Sequence, residues 1–208
     1  SAIVAAIGLL ENNLAVIVGA MVIAPLLGPN IAFALGAALG EKQLVARSLK
    51  TLFSGVTLAI VVAIIIGMIW PGNFDSQELL LRTDVAYSGT AIALASGAAA
   101  SLSLVSGISS ALVGVMVAVA LMPPAVTIGL MLSTANQDLA LGAALLLAVN
   151  IVCINLSAKL VFMFRGVKPR TWLEAHKAKQ SRMLYILIWI IMLALLILAI
   201  YLRHKTLN

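Results

Sequence analysis

The chain has 208 residues, 63% of them hydrophobic and 10% charged, with 13 Lys and Arg against 7 Asp and Glu. A mean hydropathy of +1.16 excludes a water-soluble globular domain, because a water-facing surface could not be built from this composition, and predicts a polytopic helical membrane protein. The net charge of +6 is spread between apolar runs and not gathered into a basic patch interleaved with aromatics, so the cations read as juxtamembrane anchors and no nucleic-acid partner is expected.

In chain order, Ser1 to Leu10 is apolar up to Glu11-Asn12-Asn13, a polar turn able to hydrogen-bond helix ends at an interface. Leu14 to Leu39 reads as a first broken helix. Pro25 removes the amide owed to the Met21 carbonyl, Pro29 the one owed to Pro25, and Gly28 permits angles foreign to a helix interior. Gly36 and Gly40 form a small-xxx-small pair suited to close helix contact. Lys42, Arg47 and Lys50 then make a basic connector. Leu52 to Trp70 is a plain span ending at the turn Pro71-Gly72-Asn73. The connector Phe74 to Asp84 has the pattern of a short surface helix. From Asp84 the next run carries Gly89, Ala93, Gly97 and Ser101 every four residues, a continuous small stripe on one face.

Ser106-Gly107 turns into Ile108 to Thr134, read as a second broken helix in which Pro123 and Pro124 strand the carbonyls of Val119 and Ala120, with Thr127 one turn beyond. Leu139 to Phe164 is the sixth span. It carries Asn150 and Ser157 on one face and Asn155 on another. The lone Cys153 lies inside this run and reads as core packing. Arg165 to Arg182 is the most basic stretch. With Lys168, Arg170, Lys177, Lys179 and Arg182 it is expected to lie on anionic headgroups. The last span, Met183 to Leu202, has interfacial aromatics at Tyr185 and Tyr201.

The two proline segments align without a gap at Val18/Val113, Gly19/Gly114, Met21/Met116, Val22/Val117, Leu26/Leu121 and Pro29/Pro124. The match continues at Ser1/Ser96, Ala5/Ala100, Leu9/Leu104 and Leu35/Leu130, an internal repeat. If the copies are equivalent, the first helix begins about ten residues before Ser1, because a span needs that length. The expected fold is all-α, with about seven spans as a 3+3 inverted repeat plus one C-terminal span, with two Pro-broken helices. Within this single transmembrane domain of residues 1–208, repeat 1 covers 1–70, repeat 2 covers 84–164, the interfacial segment 165–182 and the final span 183–202.

Alternating the connectors places loops 41–50 and 165–182, together with Lys159, on one side, which the positive-inside rule makes cytoplasmic. Three spans per copy, an odd number, set the copies in opposite orientations, the plan of secondary transporters whose broken helices meet near the midplane. The candidate pathway is then Met21, Pro25, Gly28, Pro29, Asn30, Val119, Ala120, Pro123, Pro124, Thr127 and Asn150. Carbonyls favour a cation and helix N-termini an anion, so the sign of the ligand stays open. The competing explanation of the prolines is packing kinks satisfied by local rearrangement.

The blocks Ala5-Ala6-Ile7-Gly8-Leu9-Leu10 with Asn12-Asn13, Val18 through Pro29, Ser106-Gly107, Ser110 through Val115, and Ala118 through Pro124 resemble the prokaryotic family known as domain of unknown function 389. The resemblance covers Ser1 to about Phe164. It implies a multi-span domain in a prokaryotic inner membrane, often preceded by a small soluble domain, and it brings no activity or catalytic residue with it.

The expected function is a transporter or channel for a small solute or ion, and the alternative is a non-transporting oligomeric scaffold or signalling module. The small-residue stripes point to a homo-oligomer unless they are spent within one protomer. With no metal-binding helix motif, nucleophile elbow, phosphate loop or paired intramembrane carboxylates, no enzyme, cofactor or metal is expected.

Overall fold

The computed structural model describes residues 1–85, 87–107, 111–167 and 187–201, and every regular element among them is helical. Helix α1 (Ala2–Leu10) ends at Glu11, and Asn12 turns the backbone left-handed. Asn13 then starts α2 (Leu14–Ile23), its side-chain oxygen accepting the Val16 amide at 3.2 Å. Helix α2 stops because the residue before a proline is pushed out of the helical region: Ala24 adopts φ −73°, ψ 118° ahead of Pro25. After a bend of 53° the chain continues in the same general sense as α3 (Leu27–Leu39). Pro29 lies in the first turn of α3, where its missing amide would have had no partner anyway, so it starts this helix and does not break it.

Gly40 closes α3 at φ 73°, which only a residue without Cβ adopts freely, and the Glu41 amide reaches back to the Gly36 carbonyl at 2.8 Å. Gly40 is thus a turn residue and not the second half of a packing pair. Gly36 alone makes close contact, against Leu44 and Val45. That contact draws the expected connector into α4 (Lys42–Ile69), a 28-residue helix whose first turns hold Lys42, Arg47 and Lys50.

The short α5 (Gln77–Leu80) is pinned to the α1–α2 turn: Ser76 Oγ donates to the Leu9 carbonyl, and Asn12 Oδ1 accepts the Glu78 amide at 2.9 Å. Then come α6 (Tyr87–Ser106), α7 (Ala111–Ser133), α8 (Gln137–Phe164) and a final α9 (Leu187–Tyr201). The expected headgroup contacts at Lys168, Arg170, Lys177, Lys179 and Arg182 lie outside the described residues, as does Tyr185.

Helix α7 is the hub, packing against α1, α2, α3, α4, α6 and α8. A helix apolar all round is stable only when covered all round, and every residue from Ala120 to Met131 is buried. Helix α4 is the opposite case. Phe53, Leu58, Val61, Ile65, Met68 and Ile69 are exposed along it, a face suited to hydrocarbon and not to water. Three helices, α4, α6 and α8, are long and apolar enough to cross a bilayer, or four if the bent pair α2–α3 counts as one span.

Close approach sets the directions. A Cβ on Gly129 of α7 would run into the Ile60 carbonyl and Ala63 of α4, and one on Gly67 of α4 would run into Ser133 of α7. Later residues of α4 thus meet later residues of α7, and the two run the same way. Helices α3 and α4 run oppositely, with Gly36 by Val45 and Gly55 by Leu26. So do α7 and α8, joined by a three-residue turn.

Backbone landmarks recur at one offset. Helix α8 begins and ends 95 residues after α4 does. The left-handed residues Asn12 and Gly107, and Gly40 and Ala135, have the same separation, which is also that of Val18 and Val113. The small stripe of α6 is spent inside the chain: Gly97 lies against Ile154 and Ser157 of α8, and Ala93 and Ser101 are buried with it, whereas Gly89 has no neighbour within 4 Å of an added Cβ.

Gly129→Val, which forces a side chain into the α4 backbone, is expected to lower stability by ~1–3 kcal/mol, whereas Gly89→Ala, with open space around it, should leave stability unchanged or raise it by ~0.5–1 kcal/mol. Thermal unfolding in detergent, followed by helical circular dichroism, measures both.

Candidate functional site

The two proline segments come out differently. At the first, the break faces outward: Val22, Ile23, Pro25 and Gly28 are exposed, Pro29 is half-buried, and Met21 is buried behind them. The Met21 carbonyl, which would otherwise lack a partner, accepts the Ala24 amide at 3.2 Å. At the second, α7 runs unbroken through Pro123 and Pro124, which corrects the expectation of a second interrupted helix. The physical reason is visible one helix away. Pro124 cannot supply the amide that the Ala120 carbonyl needs, and Asn150 Nδ2 of α8 donates to that carbonyl at 2.7 Å. Val119, whose carbonyl Pro123 also deprives of an amide, lies within the same continuous helix.

The two proline motifs therefore do not face one another across a shared gap. Instead the structure brings together buried polar side chains of α3, α7 and α8, three helices in mutual contact. Asn30, just past the break, is fully buried, and Asn155 Nδ2 donates to its Oδ1 at 2.6 Å and to the Ile151 carbonyl at 2.8 Å. Thr127 and Asn150 are also buried. Four atoms of this group find no partner among the described residues: Asn30 Nδ2, Thr127 Oγ1, Asn150 Oδ1 and Asn155 Oδ1. Leaving a buried polar atom unpaired costs about 1–3 kcal/mol, so four on three neighbouring helices need a reason.

The groups lie at successive depths. Along α8, Asn155 precedes Lys159 by four residues and follows Asn150 by five, steps of about 6 and 7.5 Å. Because α7 runs against α8 and Ala120 sits at Asn150, Thr127 lies roughly 10 Å further on, on the same face of α7 as Ala120.

Sequence reasoning set Asn155 apart because it does not share a face with Asn150. That is correct, but Asn155 faces α3 instead, where Asn30 meets it. The signal was present in the four-residue step from Asn155 to Lys159, two costly groups on one stripe of an apolar helix. Lys159 is a correction of another kind. Placed with the basic connectors by its charge, it is buried in α8, with its Nζ 5.8 Å from the centre of the Trp189 ring. Helix α9 covers it: Trp189 packs on Val152 and Leu156 and meets Phe33 of α3 edge-on at 5.8 Å.

Among the described residues the chain is all-helical, and its three or four spans long and apolar enough for a bilayer, closed around a buried polar group, are compatible with a polytopic membrane protein. It belongs to the family described as Domain of unknown function (DUF389), whose model matches residues 21–156. It is also similar, at 36% identity over 202 residues, to an uncharacterized protein of Methanocaldococcus jannaschii, a match covering 97% of this chain and 63% of that relative. The chain therefore spans less than two thirds of the relative's length. No solved structure matches it.

The proline clamp gives a two-step test. Asn150→Leu should destabilise the protein by ~1–3 kcal/mol by stranding the Ala120 carbonyl. Adding Pro124→Ala, which restores the backbone amide, should recover most of that loss. Unfolding midpoints of the single and double variants measure the coupling, and simple additivity would show that the clamp carries no energy.

Proposed function

We propose that this protein is a transporter or channel for a small solute or ion, resident in a prokaryotic inner membrane, whose pathway follows the polar interior shared by α3, α7 and α8. The observation that carries this reading is the set of four buried, unpartnered polar atoms on Asn30, Thr127, Asn150 and Asn155. In a bilayer core such groups are stabilised by water or by a passing solute, and polar side chains inside spans mark substrate paths.

The proposed architecture is seven spans, a 3+3 inverted repeat plus the last helix, with loops 41–50 and 165–182 on the cytoplasmic side. Two observations support the inversion. Landmarks recur 95 residues apart in α4 and α8. Helix α4 also runs with α7 and against α3, so the equivalent helices α3 and α7 point in opposite directions. The outward break at Val22 to Gly28 supports assembly into a homo-oligomer, because irregular backbone is not tolerated facing lipid and needs protein or a water-filled crevice beside it.

The alternative, a non-transporting scaffold or signalling module, is favoured by one feature: the Asn150 side chain repairs the proline site of α7, as a packing kink requires.

Flux through the purified full chain in liposomes separates the two. Transport predicts that Thr127→Val, which deletes one unpartnered hydroxyl from the pathway, lowers flux of the permeant solute about tenfold, the equivalent of one hydrogen bond of ~1.4 kcal/mol. Absence of flux for every ion and small metabolite tried would leave the scaffold reading standing.

A further inference from the structure

We infer that the α3–α8 seam is a binding site for a small neutral solute that carries an amide group, such as urea or a short primary amide, an inference that rests on the transport reading above. Asn30 and Asn155 are both fully buried there and share one hydrogen bond of 2.6 Å. A third group fixes the direction of that bond. The Ile151 carbonyl can only accept, so the Asn155 atom 2.8 Å from it is the nitrogen. With Nδ2 placed there, its other hydrogen goes to Asn30, whose facing atom is then Oδ1. Both hydrogens of Asn155 Nδ2 are thereby spent. What the pair leaves over is one donor, Asn30 Nδ2, and one acceptor, Asn155 Oδ1, neither with a partner among the described residues.

One donor beside one acceptor decides between classes of ligand. A cation is held by Asn155 Oδ1 but meets the amide hydrogens of Asn30, and an anion is held by those hydrogens but meets the carbonyl oxygen of Asn155. Either ion satisfies one atom, is opposed by the other, and loses its hydration in an apolar interior. Among the described residues no Asp or Glu is buried, and Lys159, one turn further along α8, has an interaction of its own. A neutral amide satisfies both atoms at once: its carbonyl accepts from Asn30 Nδ2 and its N–H donates to Asn155 Oδ1. The two leftover atoms do not bond each other, so a ligand has to bridge them. A hydroxyl donates and accepts through a single atom, whereas an amide presents the two functions on separate atoms, as the seam does. The ligand then stands as a third amide, closing a ring of which Asn30 and Asn155 already form two members.

The next polar groups along the interior suit the same solute. Asn150 Oδ1, about 7.5 Å from Asn155 along α8, is an acceptor for an N–H, and Thr127 Oγ1 both donates and accepts. Neither carries a charge. The seam between α4 and α7 has no such chemistry: at the positions 95 residues removed from Asn155 and Asn30 stand Ile60 and Ala125, and there the helices close on Gly129 and Gly67.

The test uses the purified full chain in liposomes. Urea, acetamide, glycerol and water entry are read by light scattering after an osmotic step, and chloride and potassium entry by ion-sensitive dyes, each corrected for protein-free liposomes. Urea and acetamide are expected to enter at least about tenfold faster than glycerol, chloride or potassium, the worth of one matched hydrogen bond. Asn30→Asp, the same shape with an acceptor where the unspent donor stood, keeps the bond from Asn155 and should lower urea entry about tenfold. Asn30→Leu with Asn155→Leu, an apolar pair of similar size, should bring both amides down to the glycerol rate. Gly89→Ala, with open space around it, should leave every rate unchanged. Helical circular dichroism and gel-filtration profiles check that each variant is folded, and Asn30→Asp keeps the comparison decisive if the leucine pair is not.

Glycerol entering as fast as urea, selective entry of chloride or potassium, entry of water alone, or an unchanged preference for urea in folded Asn30→Asp would each overturn the inference while leaving transport intact. Absence of entry for every probe, water included, would overturn the transport reading and the inference with it.

Discussion

A backbone carbonyl buried in a low-dielectric interior must find a donor, and in this protein the bond from Asn150 to the Ala120 carbonyl is where that demand shapes the fold. Helix α7 touches six other helices, so a break in its middle would propagate into every interface. Two adjacent prolines take two amides out of that helix. The side-chain amide of α8 supplies one replacement from outside, and the hub stays straight enough to be covered on all sides. At the related position of α4 stands Gly55, which meets Leu26 beside the first proline and has no side chain to donate. There the helix does separate, into α2 and α3. The break itself follows from Pro25, which pushes Ala24 out of the helical region and whose counterpart 95 residues on is Ala120, not proline.

A related contrast divides two seams of the bundle, α4–α7 and α3–α8. The α4–α7 seam is closed by small residues, Gly67, Gly129 and Ala63, which bring backbones into direct contact and gain dispersion without hydrogen bonds. The α3–α8 seam is held by an amide pair and capped by an aromatic from α9. Close-packed apolar contacts are unforgiving of displacement, whereas a single hydrogen bond between two amides exchanges readily for bonds to another partner.

Much of the helix order was legible in the sequence, because apolar runs of span length and punctuation at Pro25, Pro71 and Gly107 are local signals. The start of α4 was misjudged because Lys42, Arg47 and Lys50 look like a loop when read by charge, while the helix is set there by packing of Leu44 and Val45 on Gly36. The state of α7 was not legible for a similar reason. Proline chemistry is local, but its repair by Asn150 depends on which face of α8 meets α7, a tertiary fact. Asn30, Thr127 and Asn150 were identifiable as polar groups in apolar runs. Asn155 and Lys159 were not placed in the site, because their partners, Asn30 and Trp189, are distant in sequence.

An internal repeat would by itself give two equivalent seams, and a site needs the equivalence to fail. It fails on one helix. Where α4 has Gly55, Ile60 and Ile64, α8 has Asn150, Asn155 and Lys159. Burial accounts for the direction of that difference. Within its most apolar window α4 is 22% buried and α8 67% buried, so α4 leaves an apolar face exposed on the outside of the bundle. Helix α8 is enclosed by α3, α6, α7 and α9, where polar groups can meet each other and the α7 backbone. Polar chemistry could therefore accumulate only on the enclosed helix, and the fourth wall of that enclosure is α9. Adding that last helix over Lys159 converts one of two like seams into a buried polar site while the other remains a dry joint.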